Sequence, residues 1–122
     1  MKIIISPAKV QDGKHHFTKR YTTINYHKKS MYLTDILKSY EKDEIGKLMS
    51  ISPKLATLNS NRYFDWTLPF TAANAKQAAF AFKGDVYTGL DAQTLNATEL
   101  DFAQNHLRIL SGLYGVLRPL DL

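Results

Sequence analysis

The sequence has no cysteine, which removes disulfides, thiolate metal sites and thiol catalysis together. It also lacks a long apolar run. Met1-Lys2-Ile3-Ile4-Ile5-Ser6-Pro7 is too short for a signal peptide or a membrane span, so a cytoplasmic protein without a membrane partner is expected. There is no internal repeat and no low-complexity tract. Neither Lys-bearing loop described below matches the phosphate-binding fingerprint GxxxxGK[ST]. What is present is an ordinary globular composition: 122 residues, 44% of them hydrophobic, enough for a modest core.

Acidic residues are almost missing from the first quarter of the chain. Residues 1–29 carry Lys2, Lys9, Lys14, Lys19, Arg20, Lys28 and Lys29 against Asp12 alone, a local charge of +6 within a net +5. His15, His16 and His27 fall in the same stretch and add charge below neutral pH. Two readings stand: a contact surface for an anionic partner, or a solvated loop whose lysines keep the protein soluble. Metal binding by these histidines is not expected, because neighbouring cations oppose a divalent ion and no carboxylate cluster supports it. No cofactor is expected either.

Ile3-Ile4-Ile5, stopped by Ser6-Pro7, predicts a buried strand followed by a strand-end loop. Residues 10–30 lack periodicity and read as loop. From Met31, the spacing of Leu33, Ile36, Leu37 and Tyr40 predicts a helix with one apolar face. Asp43 is a cap candidate for a second helix carrying Ile45, Leu48 and Met49, with Gly46 an unfavourable interior residue. Ser52-Pro53 predicts the start of a third, burying Leu55, Leu58, the Arg62 stem and Trp66. Thr71 is read as capping a short helix through Lys76. Ala78-Ala79-Phe80-Ala81-Phe82 is read as a buried strand, although alanine is a poor strand former and a helix stays open. Asn96-Ala97-Thr98-Glu99 has capping-box spacing and predicts a helix over 97–106 burying Leu100, Ala103 and Leu107, followed by a strand over 107–110. Strands separated by helices give the expected class: α/β, a short, largely parallel sheet with flanking helices.

The last residues, His106 to Leu122, read as an element starting. Apolar residues predominate where polar, fraying ones are usual, and Pro119 suits the first position of a further helix. Residues 1–122 are therefore expected to be the N-terminal portion of a single, longer domain, with the remaining portion or a chain supplying it as a partner.

In a parallel sheet, Ser6-Pro7-Ala8-Lys9 and Lys83-Gly84-Asp85-Val86-Tyr87-Thr88-Gly89 would both emerge at the carboxyl edge, where ligands of open α/β sheets collect. That predicts a common cleft for Ser6, Lys9, Lys83, Asp85 and Tyr87. The lysines and the backbone near Gly84 suit a phosphate, and Asp85 could orient a lysine or act as a base. The bland alternative makes Asp85 a helix-capping residue, Lys83 solvated and Tyr87 core. Gly112-Leu113-Tyr114-Gly115-Val116 with Arg118 resembles the hairpin of helix-hairpin-helix DNA-binding modules, though its glycines are three apart rather than two. A tight turn leaving the last strand explains it equally well.

Taken together, Ile5-Ser6-Pro7-Ala8-Lys9, Asn61-Arg62-Tyr63 with Trp66, Phe82-Lys83-Gly84-Asp85-Val86-Tyr87-Thr88-Gly89-Leu90, and Leu110 through Leu122 resemble the peroxide stress protein YaaA family over essentially the whole chain. The resemblance implies a cytoplasmic bacterial protein that limits peroxide damage by holding down unincorporated iron. It also implies a mixed α/β fold with a positively charged cleft that binds DNA, its helix-hairpin-helix-like element mapping to Gly112–Arg118. One departure is that Val10-Gln11 stands where the family has Thr-Leu after Ser-Pro-Ala-Lys. The anion-contacting candidates are then Ser6, Lys9, Lys14, Lys19, Arg20, Lys83, Gly112, Gly115 and Arg118, joined by Arg108. The alternative is an enzyme acting on a small anionic or nucleotide-like substrate at Lys9, Lys83, Asp85 and Tyr87, and a third possibility is an inactive fragment. Convergence of those four side chains in one pocket would favour the enzyme, and an extended positive surface the binding module.

Overall fold

A computed structural model describes residues 1–11 and 20–122. In chain order the elements are β1 (Ile3–Ile5), β2 (Val10–Gln11), α1 (His27–Lys38), α2 (Lys42–Met49), α3 (Pro53–Asp65), α4 (Ala78–Ala81), β3 (Phe82–Lys83), α5 (Asp85–Leu90), a 3-10 turn (Ala92–Thr94), α6 (Ala97–His106), β4 (Leu107–Ser111) and β5 (Gly115–Leu117). They fall into two compact units, one of Met1–Tyr26 with Phe70–Leu122 and one of His27–Pro69.

The class is mixed α/β, as expected, but the sheet is less parallel than the sequence suggests. β1 pairs with β4 in parallel, while β4–β5 and β2–β3 are antiparallel. The expected buried strand over 78–82 is one reason. Residues 78–81 form α4, and only Phe82–Lys83 is extended. The Ala78 and Ala79 N–H groups, which a helix start leaves without intrahelical acceptors, donate to the Asp121 and Pro119 carbonyls at 2.8 and 3.0 Å. A distant segment thus accommodates a helix at a run that its own residues left ambiguous.

β1 is a strand but not a buried one. The order β1-β4-β5 puts it at the sheet edge, with Ile3 and Ile4 exposed. Residues 10–30 are not all loop, since they contain β2 and the first turn of α1. Ile24 is buried within them, in a cluster with Ala78, Phe82, Tyr87, Ile109 and Leu117. A second cluster joins Ala79, Phe80, Ala92, Leu100 and Leu120. Thr71 opens a turn rather than a helix: its carbonyl accepts from Asn74 and Ala75, and its N–H donates to Asn74 Oδ1 at 2.7 Å.

Helix α6 spans 97–106 as predicted, with the Asn96 side chain accepting from Glu99 N–H and Glu99 accepting from Asn96 N–H. Pro119 begins no helix. It lies buried in a turn closed by Asp121 N–H donating to the Arg118 carbonyl. Leu120, Asp121 and Leu122 are buried and run beside Thr22.

In the His27–Pro69 unit, Ser52 caps α3 by accepting from Leu55 N–H, and Pro53 is its first residue. The cap of α2 is Glu41, not Asp43, in a reciprocal box with Glu44. Gly46 lies where an added Cβ would come within 3.2 Å of Ala56 Cβ, so α2 and α3 pack closely there. The predicted faces are buried only in part: Leu37 on α1, and Leu55, Arg62 and Trp66 at α3, are half-buried. On α1 the buried residues are Ser30 and Thr34, while Leu33, Ile36 and Tyr40 are exposed. On α3 they are Ala56 and Asn59, with Leu58 exposed. Periodicity identifies a stripe, not what lies against it.

Candidate functional site

β1 ends at Ile5, and Ser6–Lys9 connects it to β2. Because β2 pairs antiparallel with β3, Val10 lies opposite Lys83 and Gln11 opposite Phe82. Lys9 therefore adjoins the pair that holds Lys83. Gly84 follows with φ +151° and ψ 178°, a region open essentially to glycine alone, and its missing side chain faces Ala8 Cβ at 3.8 Å. The chain then turns into α5, whose first residue is Asp85, a favourable place for a carboxylate.

Tyr87 fixes the two loops to each other. Its ring is buried against Phe82, with centroids 5.4 Å apart, and its hydroxyl donates to the Ser6 carbonyl at 2.6 Å. Burial pushes the Tyr87 phenol up to about 12, so at neutral pH it is a proton-bearing donor and not a base. Beside it is a cleft of about 290 Å³ lined by Ala79, Phe80, Phe82, Lys83, Gly84, Tyr87, Thr88, Asp91, Ala92 and Gln93.

The predicted meeting of the Ser6 and Lys83 loops is present, but its geometric basis differs. An antiparallel β2–β3 pair joins them, not the shared carboxyl edge of a parallel sheet. The predicted common cleft is also only partial. Lys83 and Tyr87 line it, whereas Ser6, Lys9 and Asp85 do not. Asp91 and Gln93 had no signal in the sequence, while Thr88 lay inside a recognised motif but without a role.

Three of the candidate cations, Arg20, Arg108 and Arg118, are engaged by protein groups. Arg20 pairs with Asp101. Arg108 Nη1 donates to the Gln104 and Leu107 carbonyls at 2.8 and 2.7 Å. Arg118 holds the fully buried Asp121 carboxylate through Nε and Nη2 and donates to the Thr23 carbonyl at 2.8 Å. Lys14 and Lys19 lie outside the described residues, as do His15 and His16. Gly112 lies in the turn of the β4–β5 hairpin and Gly115 opens β5, so Gly112–Arg118 is a strand turn and a strand, not a helix-hairpin-helix. Gly115 has φ +74°, and an added Cβ would sit 3.0 Å from the Tyr26 ring. The hairpin and its packing account for that glycine without a phosphate. Among the described residues no group of three or more His, Cys, Asp or Glu could hold a metal ion, and no helix is long and apolar enough to cross a membrane.

A family model described as peroxide stress protein YaaA matches residues 1–122. A UPF0246 protein of Shewanella amazonensis is 53% identical over 123 residues, covering 100% of this chain and 48% of that protein. A UPF0246 protein of Ralstonia nicotianae is 55% identical over 122 residues, covering 99% of this chain and 48% of that protein. A third, of Hahella chejuensis, is 54% identical, with 100% and 48% covered. The chain spans about half the length of the curated relatives it matches.

Proposed function

Because the chain belongs to the peroxide stress protein YaaA family, we propose that it serves the cytoplasmic peroxide stress response as the N-terminal portion of a DNA-binding domain. The whole protein limits unincorporated iron and binds DNA through its phosphates. In this reading Lys9 and Lys83 contact phosphates, and the Tyr87–Ser6 hydrogen bond holds their loops in register. The observation that carries it is the β2–β3 pairing, which sets Val10 opposite Lys83 and so brings two exposed lysines, Lys9 and Lys83, close along the backbone from distant parts of the sequence. Phosphate contacts position a protein on DNA without reading its sequence, so unrelated duplexes should compete equally for it. Lys9→Ala and Lys83→Ala should each weaken binding of the full-length protein by the same factor on every duplex. Unequal losses on different sequences would contradict the reading.

One observation favours a second reading. The cleft beside Tyr87 is concave and offers Lys83, Thr88, Asp91 and Gln93 as polar groups, which suits a small anionic substrate. Against it, two of the four residues expected of an enzyme site, Lys9 and Asp85, do not line that cleft. Thr88→Val and Gln93→Ala separate the readings. Loss of peroxide protection with DNA affinity intact would assign the cleft to a small molecule.

A further inference from the structure

The β1-β4-β5 sheet is apolar on both faces, yet the described residues cover only one. Ile5, Ile109 and Leu117 lie in register and face the core, Ile109 fully buried. The opposite face carries Ile4, Arg108, Leu110 and Val116, since Ile4 pairs with Arg108 and Leu110 with Val116. Ile4 is 63% exposed, Leu110 46% and Val116 37%. An antiparallel sheet with one wet face alternates apolar and polar residues. Here Ile3-Ile4-Ile5, Ile109-Leu110 and Val116-Leu117 are continuous apolar runs, the pattern of strands covered on both sides, and a parallel pair such as β1–β4 is ordinarily covered on both sides. Arg108, the polar exception, has its guanidinium tied to carbonyls at the end of α6.

We propose that this uncovered face is the docking surface for the part of the family protein outside residues 1–122, and that an aliphatic-faced helix from that part covers Ile4, Leu110 and Val116. The relatives supply the chain for it, since these residues span 48% of their length. A second copy fits less well, because a two-fold contact through this small face would place two Arg108 side chains near each other. The proposal is independent of the DNA reading.

The absence of cysteine from the 122 residues permits a clean test. Leu110→Cys, Val116→Cys and, on exposed Thr94, Thr94→Cys are placed singly in the full-length protein. Each is labelled with a maleimide, and modification at that site is followed by peptide mass. Cysteines at 110 and 116 should label about 10-fold or more slowly than at 94 in the full-length protein, and at rates similar to 94 in the 122-residue chain. Ile4→Cys gives the same readout if the mid-strand variants fold poorly. Equal labelling at all sites of the full-length protein would overturn the proposal. So would protection in the 122-residue chain that rises with its concentration, since a second copy would then be the occupant.

Discussion

At the scale of single residues, Asp121 and Tyr87 hold polar contacts between distant segments of their unit. The Asp121 carboxylate is fully buried and accepts from Thr22 Oγ1 at 2.5 Å and from the Arg118 N–H and guanidinium. Removing one partner of a buried pair leaves the other uncompensated, at a cost of about 3–5 kcal/mol. Arg118 is partly exposed, so Asp121→Ala should fall near the lower end, about 3 kcal/mol, measured by denaturant unfolding. Tyr87→Phe removes only the hydroxyl and its bond to Ser6, and should cost about 1 kcal/mol. It should also alter the alkaline limb of stability. The folded phenol is raised to about 12, so between the ordinary value near 10 and about 12 the folded state holds a proton that the unfolded state has lost. Stability contributed by this group is therefore complete below pH 10 and disappears as pH rises towards 12. Titrating unfolding midpoints across that range should show a shallower decline for Tyr87→Phe. Burial also raises the Tyr63 phenol, so some decline should persist in that variant.

At the scale of elements, the β4–β5 hairpin depends on Gly115, which combines a left-handed φ with close approach to Tyr26. Gly115→Ala should destabilise by about 1–2 kcal/mol from the backbone alone, with any displacement of Tyr26 added. A thermal scan showing no loss would contradict this account of the turn. Two helix starts were legible because a capping side chain precedes each and bonds within three residues, Ser52 with Leu55 and Asn96 with Glu99, whereas the α2 cap is Glu41, paired with Glu44, and not the expected Asp43. Elements settled by distant partners were not legible. Nothing within Ala78–Phe82 shows that carbonyls of Pro119 and Asp121 receive its first N–H groups. The meeting of the Ser6 and Lys83 loops was legible from strand-then-polar-loop patterns. Its basis was not, since β2 is two residues long and has no periodicity to read.

At the scale of the whole molecule, apolar surface is left uncovered on each unit taken separately. Leu33, Ile36, Tyr40, Leu58 and Phe64 are exposed in one, and Ile4, Leu110 and Val116 in the other. Patches of this kind mark interaction surfaces. The 122-residue chain should therefore bind a fluorescent apolar-surface dye, and the full-length protein should bind less per molecule. Equal or greater binding by the full-length protein would contradict that expectation. The basic character of residues 1–29 acts at this scale too, but the fold divides its cations. Arg20 is paired with Asp101, Lys2 donates to the Asn105 carbonyl, and Lys9 stands beside the β2–β3 pair.

The central claim, that Lys9 and Lys83 contact DNA phosphates, is tested most directly by the salt dependence of binding. The full-length protein and its Lys9→Ala/Lys83→Ala variant are titrated with one duplex over a range of salt concentrations, and log K is plotted against log salt. Every phosphate that is no longer neutralised by a lysine reduces the magnitude of the slope by about 1, so the double variant should be shallower by about 2. An unchanged slope would contradict the claim, whatever happened to the affinity at any single salt concentration.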